Sequence, residues 1–192
     1  MTDSPRFRSP EHAVRFAFAV EGRPIINISP FFRDLRGGSV KLEAEVTGES
    51  SGWDRAAQSA MIMALMLRHL DNNQKAALIA RYAKPITGKM EQDKRRYLLH
   101  VMNLAYAELP RMQLYYLADL VRHWGGYPRH HQDEWWARHY GVDERTLRNW
   151  SHGRRYRGQH VAGIYDFLYR IEYECYDRLL EPMVEAGLVE NT

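Results

Sequence analysis

Residues 133–152 read DEWWARHYGVDERTLRNWSH, and their spacing predicts two short helices joined by a tight turn, the helix-turn-helix template. The first helix is expected near Asp133 to Tyr140, with Ala137 at the crossing point, where a larger side chain would hold the helices apart. Gly141 follows four residues on, where the chain must take a positive φ that only glycine adopts at little cost. Asp143 has the residue type and the position of an N-cap for the second helix. Trp136, Tyr140, Val142, Leu147 and Trp150 supply the apolar face that joins the two helices.

Once those positions are committed to packing, the outward face of the second helix follows: Glu144, Arg145, Arg148, Asn149 and His152. These residue types read base edges in a major groove. Arg offers paired donors to guanine, Asn pairs with adenine and Glu accepts from cytosine. Thr146 and Ser151 stand at the flanks, placed to hydrogen-bond phosphates. A helical hairpin that packs in a core or binds another protein is the competing reading of the same pattern.

The next residues, GRRYRGQH, set Arg154, Arg155, Tyr156 and Arg157 between Gly153 and Gly158. They read as a flexible basic loop that follows the phosphate backbone or enters an adjacent minor groove. A final helix is expected from about Gln159, with Val161, Ile164, Leu168, Ile171 and Cys175 in one stripe and acidic residues opposite. That stripe either braces the two-helix unit or forms the seam of a homodimer.

The whole chain is consistent with this end-weighted picture. Of its 192 residues, 45% are hydrophobic and 12% aromatic, enough for a packed core. The net charge of +3 is unevenly spread: residues 121–160 carry 8 Lys and Arg against 4 Asp and Glu, whereas residues 161–192 carry 2 against 7. A basic segment beside an acidic tail fits a polyanion site whose non-specific grip is limited elsewhere. A single cysteine, Cys175, excludes an intrachain disulfide and a CxxC zinc ribbon and fits a reducing compartment. The opening MTDSPRFRSPEH lacks the apolar run of a signal peptide, and no stretch approaches the roughly 18 apolar residues of a membrane span. The expected location is the cytoplasm.

Outward from the two-helix stretch, the chain reads as helical back to Trp53. Ser9-Pro10-Glu11 opens a short amino-terminal helix. Residues 22–52 hold GRPIINISP, RGGS and TGESSG, an extended connector with at most one strand, at Ile25 to Ile28 or Val40 to Val46. AAQSAMIMALMLRHL is an apolar helix with Met61, Met63 and Met66 as core fillers. Asp71 and Gln74 have capping-box spacing for the next helix, and Pro85 to Gly88 closes it. A long helix follows Lys89; Pro110 separates it from another, and Gly125-Gly126-Tyr127-Pro128 marks a boundary. The predicted fold is mainly α, a helical bundle with a carboxy-terminal helix-turn-helix. Its segments are residues 1–52, an amino-terminal helix and connector; 53–124, a helical region; and 125–192, the helix-turn-helix with its basic loop and bracing helix.

Other constellations are accounted for by structure. His123, His130, His131 and His139 match no zinc spacing and are expected to border the DNA. The pairs Asp133-Glu134 and Asp143-Glu144 sit at helix starts, where acids complement the dipole. Cys175 reads as a small buried hydrophobe. With no phosphate-cradling glycine loop, GxSxG or HExxH, the expectation is a non-enzymatic protein with no catalytic residue, cofactor or metal.

Residues 68–109, RHLDNNQKAALIARYAKPITGKMEQDKRRYLLHVMNLAYAEL, resemble the helical region of the lambdoid phage Q-type antitermination proteins. The resemblance rests on Gln74-Lys75-Ala76, the Ile86-Thr87-Gly88-Lys89 turn and Leu104-Ala105-Tyr106-Ala107, about a fifth of the chain. It implies a phage or prophage protein that binds a DNA element near a late promoter, joins paused RNA polymerase and makes it ignore terminators. In a bacterial host such a protein would sit with the nucleoid. The sequence therefore predicts a sequence-specific regulator of transcription, with double-stranded DNA as partner, RNA polymerase as a further candidate and a homodimer as a candidate assembly. The alternatives are a helical adaptor on RNA polymerase and a DNA-binding subunit of phage packaging or replication.

Overall fold

The computed structural model describes residues 7–21, 52–85, 87–109 and 112–190; of Glu21, Gly52, Trp53, Asp54 and Tyr156 it describes the backbone alone. The strand expected at Ile25 to Ile28 or Val40 to Val46, and Pro110 as a helix boundary, lie outside the described residues.

Among those residues the chain forms eight helices and one small hairpin: α1 Pro10–Glu21, α2 Gly52–His69, α3 Asn72–Tyr82, α4 Gly88–Glu108, α5 Leu114–Trp124, α6 Asp133–Tyr140, α7 Glu144–His152, β1 Arg154–Tyr156, β2 Gln159–Val161 and α8 Ile164–Glu185. The fold is mainly α, as the periodicity predicts. No helix among the described residues is long and apolar enough to cross a membrane.

Local chemistry explains where the helices start. Asp71 caps α3 by accepting from the Gln74 backbone at 2.9 Å, and the Gln74 amide oxygen accepts from the Asp71 backbone at 3.2 Å. This reciprocal pair satisfies two N–H groups that a bare helix end leaves open. Ala76, Ala77 and Ala80 are all buried on α3, and small side chains there let α4 and α8 approach closely. Thr87 caps α4, accepting from the Met90 backbone at 3.3 Å.

Two apolar clusters share α3 and α8. The first joins Ala13, Val14, Ala17 and Phe18 of α1 to Ile62, Met63 and Met66 of α2, with Leu78, Ile79, Cys175, Leu179 and Met183. A parallel bridge between Phe7 and Val189 closes it, with the Phe7 N–H donating to the Leu188 carbonyl at 2.9 Å. The second joins Val101 and Ala105 of α4, Tyr116, Leu117, Leu120, Val121 and Trp124 of α5, Trp136 and Ala137 of α6, and Leu147 of α7 to Ile164, Phe167, Leu168 and Ile171 of α8. The three segments drawn from sequence punctuation thus share common cores, and α8 runs through both.

Several expectations need correction. Met61 is 41% exposed while Met63 and Met66 are buried, because α2 buries only one side of an all-round apolar run. The last helix begins at Ile164, five residues later than expected; Gln159–Val161 is a strand and Val161 lies outside the stripe, 46% exposed. Ile164, Leu168, Ile171 and Cys175 are buried inside the molecule, so the stripe braces its own chain and offers no dimer seam. Finally, the outer side of α8 is not uniformly acidic and solvated, since Glu172 is buried.

Candidate functional site

The site is assembled around α5, whose buried side chains hold the α6–α7 pair from behind. Asp119 is the anchor. Its carboxylate, 1% exposed, accepts from Arg129 Nε at 3.1 Å, from the His130 backbone at 2.7 Å and from Trp136 Nε1 at 3.1 Å. One charged acceptor therefore fixes both the connector and the start of α6 to α5, and bonds to an ionised group are the strong kind. Arg129 also donates to Asp133 at 2.7 Å. Tyr116 stands beside this group, with ring centroids 5.8 Å from Trp136 and 6.2 Å from Trp150. Burial, reinforced by the Asp133 charge, pushes its hydroxyl up to about 12.

The link between α6 and α7 follows from two residues. Gly141 takes the left-handed conformation, φ 63° and ψ 34°, which costs a residue with a Cβ about 1 kcal/mol or more. Asp143 then accepts from the Thr146 backbone at 2.6 Å and caps α7. Hydrogen bonding to Thr146 holds the Asp143 carboxyl below its usual range, since the charged form is the better acceptor. Trp136, Ala137 and Leu147 are buried between the helices, with Tyr140, Val142 and Trp150 packed at their edge. Trp136 and Tyr140 stack at 5.6 Å and 11°.

With that inner face filled, α7 turns Glu144, Arg145, Arg148 and His152 to solvent, and Asn149 and Thr146 are half-buried at the border. His152 lies against Tyr165, ring centroids 5.1 Å apart. Ser151 departs from expectation. It is buried, and its hydroxyl donates to the Arg148 carbonyl at 3.1 Å, so it braces the last turn and cannot meet a phosphate.

Residues 153–161 are not the flexible loop that their composition predicts. They form an antiparallel hairpin with Arg154 opposite Val161, Arg155 opposite His160 and Tyr156 opposite Gln159. Arg157 and Gly158 make the two-residue turn with φ 49° and 81°, both positive as a type I′ turn requires. The hairpin is rooted on α8. Asp166 accepts from the Gly163 backbone at 2.8 Å and pairs with His160 Nε2 at 2.9 Å. Gly153 and Gly163 meet backbone to backbone, so that a Cβ on either would overlap the other's nitrogen or a neighbouring carbonyl. Arg154, Arg155 and Arg157 are exposed along this arm.

The histidines divide among several roles. The His130 backbone is bound by Asp119, and His123 Nδ1 lies 3.3 Å from the Tyr127 carbonyl. His131 and His139 sandwich Trp135 on the outer side of α6, at 3.7 Å and 4.7 Å between centroids. Among the described residues no group of three His, Cys, Asp or Glu is placed to hold a metal ion. Cys175 is fully buried, its thiol pushed up to about 12 by desolvation.

No known family model, characterised protein or solved structure matches this chain.

A second polar cluster escaped sequence reasoning. The Glu172 carboxylate receives Tyr82 and Tyr176 hydroxyls and Trp124 Nε1, with Arg81 Nε at 3.8 Å. Burial pushes the Tyr176 hydroxyl upward. An open groove of about 390 Å³ lies beside it, lined by Arg15, Arg81, Tyr169, Tyr173 and Leu180 among others. The carboxylate already accepts from three donors and faces the Arg81 guanidinium at ion-pair distance, so its chemistry is spent on fastening α3 and α5 to α8. No local pattern announces Asp119 or Glu172: Asp119 meets Arg129 and His130 of the connector and Trp136 of α6, and Glu172 meets Tyr82 of α3 and Trp124 of α5 besides Tyr176 on its own helix. The hairpin did carry a signal, since Arg157-Gly158 is a two-residue turn with glycine at its second place.

Proposed function

We propose that this chain is a sequence-specific double-stranded DNA-binding regulator of transcription, phage or prophage encoded, whose α6–α7 pair is a helix-turn-helix. The observation that carries the reading is the exposure of Glu144, Arg145 and Arg148 along one side of a helix whose other side is locked into the core by Leu147. A helix so held enters a major groove with its reading residues already oriented, which lowers the entropy lost on binding. Arg145, Arg148 and Asn149 contact bases; Glu144 and His152 lie at the ends of the same face. Arg154 and Arg155, on a hairpin that continues from α7, contact the backbone, with Thr146 at the border of the helix, and Arg157 stands at the tip of that hairpin. Tyr156 belongs to the same arm.

Antitermination together with RNA polymerase is the role that the resemblance of residues 68–109 favours. An adaptor reading, in which a protein and not DNA is the partner, draws on a different observation. Leu99, Tyr106, Leu114 and Tyr115 of α4 and α5 are exposed large apolar residues, and a groove of about 250 Å³ between those helices is lined by Leu99, Met102, Arg95 and Arg122. Exposed apolar side chains beside such a groove are a mark of interaction sites. The two readings are compatible in one molecule that bridges DNA and polymerase.

The test is selection of bound duplexes from a random pool by the full chain, repeated at two salt concentrations. A DNA reader enriches a common core, and its affinity falls steeply with salt as counterions are released. Failure to enrich any core, with binding that does not respond to salt, would refute DNA reading and leave the adaptor.

A further inference from the structure

The tip of the hairpin is built on a residue that turn chemistry alone would not choose. Type I′ turns place Asn, Asp or Gly at the first central position because φ is positive there. Here that position is Arg157, the non-glycine residue with positive φ among the described residues. A long cation in the left-handed region gives up local stability, and such outliers persist where surrounding structure enforces them and the side chain is used. A phosphate contact does not ask for this. Arg154 and Arg155, in ordinary strand conformation on the same arm, already supply it.

The tip is also rigidly placed. Asp166 ties β2 and the chain just after it through His160 at 2.9 Å and the Gly163 backbone at 2.8 Å, and Gly153 and Gly163 lie backbone to backbone at the root. Gly153 follows directly on the last residue of α7. Three strand residues carry the chain about 10 Å from there, so Arg157 stands at a set offset from the reading face.

Resting on the DNA reading above, we infer that Arg157 enters the minor groove beside the major-groove segment read by α7 and selects A·T pairs in that flank. A·T-rich minor grooves are narrow and strongly negative, which draws in a guanidinium, whereas G·C pairs place an amino group on the groove floor. Arg154 and Arg155 stay on the flanking phosphates and hold the arm across the backbone.

The experiment extends the random-pool selection with the full chain. The expected result is an excess of A·T pairs on the side of the core that the hairpin covers. Changing those pairs to G·C in a synthetic copy of the recovered duplex should weaken binding about tenfold. Inosine·C pairs should restore it, because they keep the major-groove face of G·C yet lack the minor-groove amino group. Arg157→Gly keeps the turn, and should bind the same core with no preference among the three flanks. Arg157→Lys should lose most of the preference, since an ammonium is more strongly hydrated and less suited to a narrow groove. An enriched core with unbiased flanks, equal binding to G·C and inosine·C flanks, or an unchanged preference in Arg157→Gly would overturn the assignment of Arg157 and leave the α7 reading standing. Failure of the full chain to enrich any core would overturn both.

Discussion

Trp136 Nε1 donates to Asp119 Oδ2 at 3.1 Å, deep between α5 and α6. The same carboxylate accepts from Arg129 and from the His130 backbone, so a single buried carboxylate ties the connector and the start of α6 to α5. Replacing it by Asp119→Ala leaves the His130 and Trp136 N–H donors without their acceptor and Arg129 with Asp133 as its remaining carboxylate. A buried donor left without its acceptor costs about 1–3 kcal/mol. Urea unfolding should show a loss of that size, with the midpoint moving far more than the slope. A loss below about 1 kcal/mol would mean that water replaces Asp119 and that it is no anchor.

What the sequence made legible follows from how local each constraint is. Ala137, Gly141 and Asp143 are set by sterics and capping within a few residues, and the helices fall where those residues put them. Asp119 meets partners 10, 11 and 17 residues away, and Glu172 meets Tyr82 across 90. Helical periodicity sees Glu172 only as polar, and so assigns it to solvent. Ser151 fails for a related reason: its hydroxyl returns to its own helix at Arg148, satisfying itself locally and leaving it small enough to bury. The hairpin strands have three residues each, too few to display an alternation, and Gly158 alone marks the turn, with Arg157 standing where Asn would strengthen the signal.

The proposed division of labour between α7 and the hairpin predicts two different mutant signatures. Arg148→Ala should cost about 1–3 kcal/mol on the selected core and little on unrelated duplexes. Arg155→Ala should weaken binding to all duplexes alike and reduce the salt slope by about 0.9 for the lost phosphate contact. Titrations of both variants on the selected core and on a scrambled duplex separate the two. Should Arg148→Ala leave the ratio of specific to non-specific affinity unchanged, α7 does not read bases through it.

Gly163 predicts a coupling between core packing and the arm. A methyl group there would run into the Gly153 nitrogen and the Ser151 carbonyl, which are backbone atoms and cannot swing aside. Gly163→Ala is expected to destabilise by about 1–3 kcal/mol, the range for overpacking. It should also loosen the root of the hairpin, so trypsin should cut sooner at Arg154, Arg155 and Arg157 than in the parent chain. Unchanged cleavage together with unchanged stability would show that the two glycines are not a fixed joint.

Cys175 makes the pH dependence of the fold testable. Its thiol is fully buried, donates to the Ile171 carbonyl at 3.0 Å and is pushed up to about 12 by desolvation. The unfolded chain releases the same proton near 8.5. Because the folded value is the higher one, the contribution to stability is fully present below about pH 8.5 and is lost as pH rises toward about 12. Within that window the unfolded state binds fewer protons, and the loss amounts to about 1.4 kcal/mol per pH unit. Half-buried tyrosines, Tyr82 and Tyr176 among them, are also shifted upward, so the parent chain alone does not isolate the thiol. Cys175→Ala removes only this titration, and its stability should fall less steeply with pH than that of the parent between about pH 9 and 10. Equal slopes in the two proteins would mean that Cys175 ionises in the folded state as readily as in the unfolded one, which would be incompatible with a sealed junction between α3 and α8.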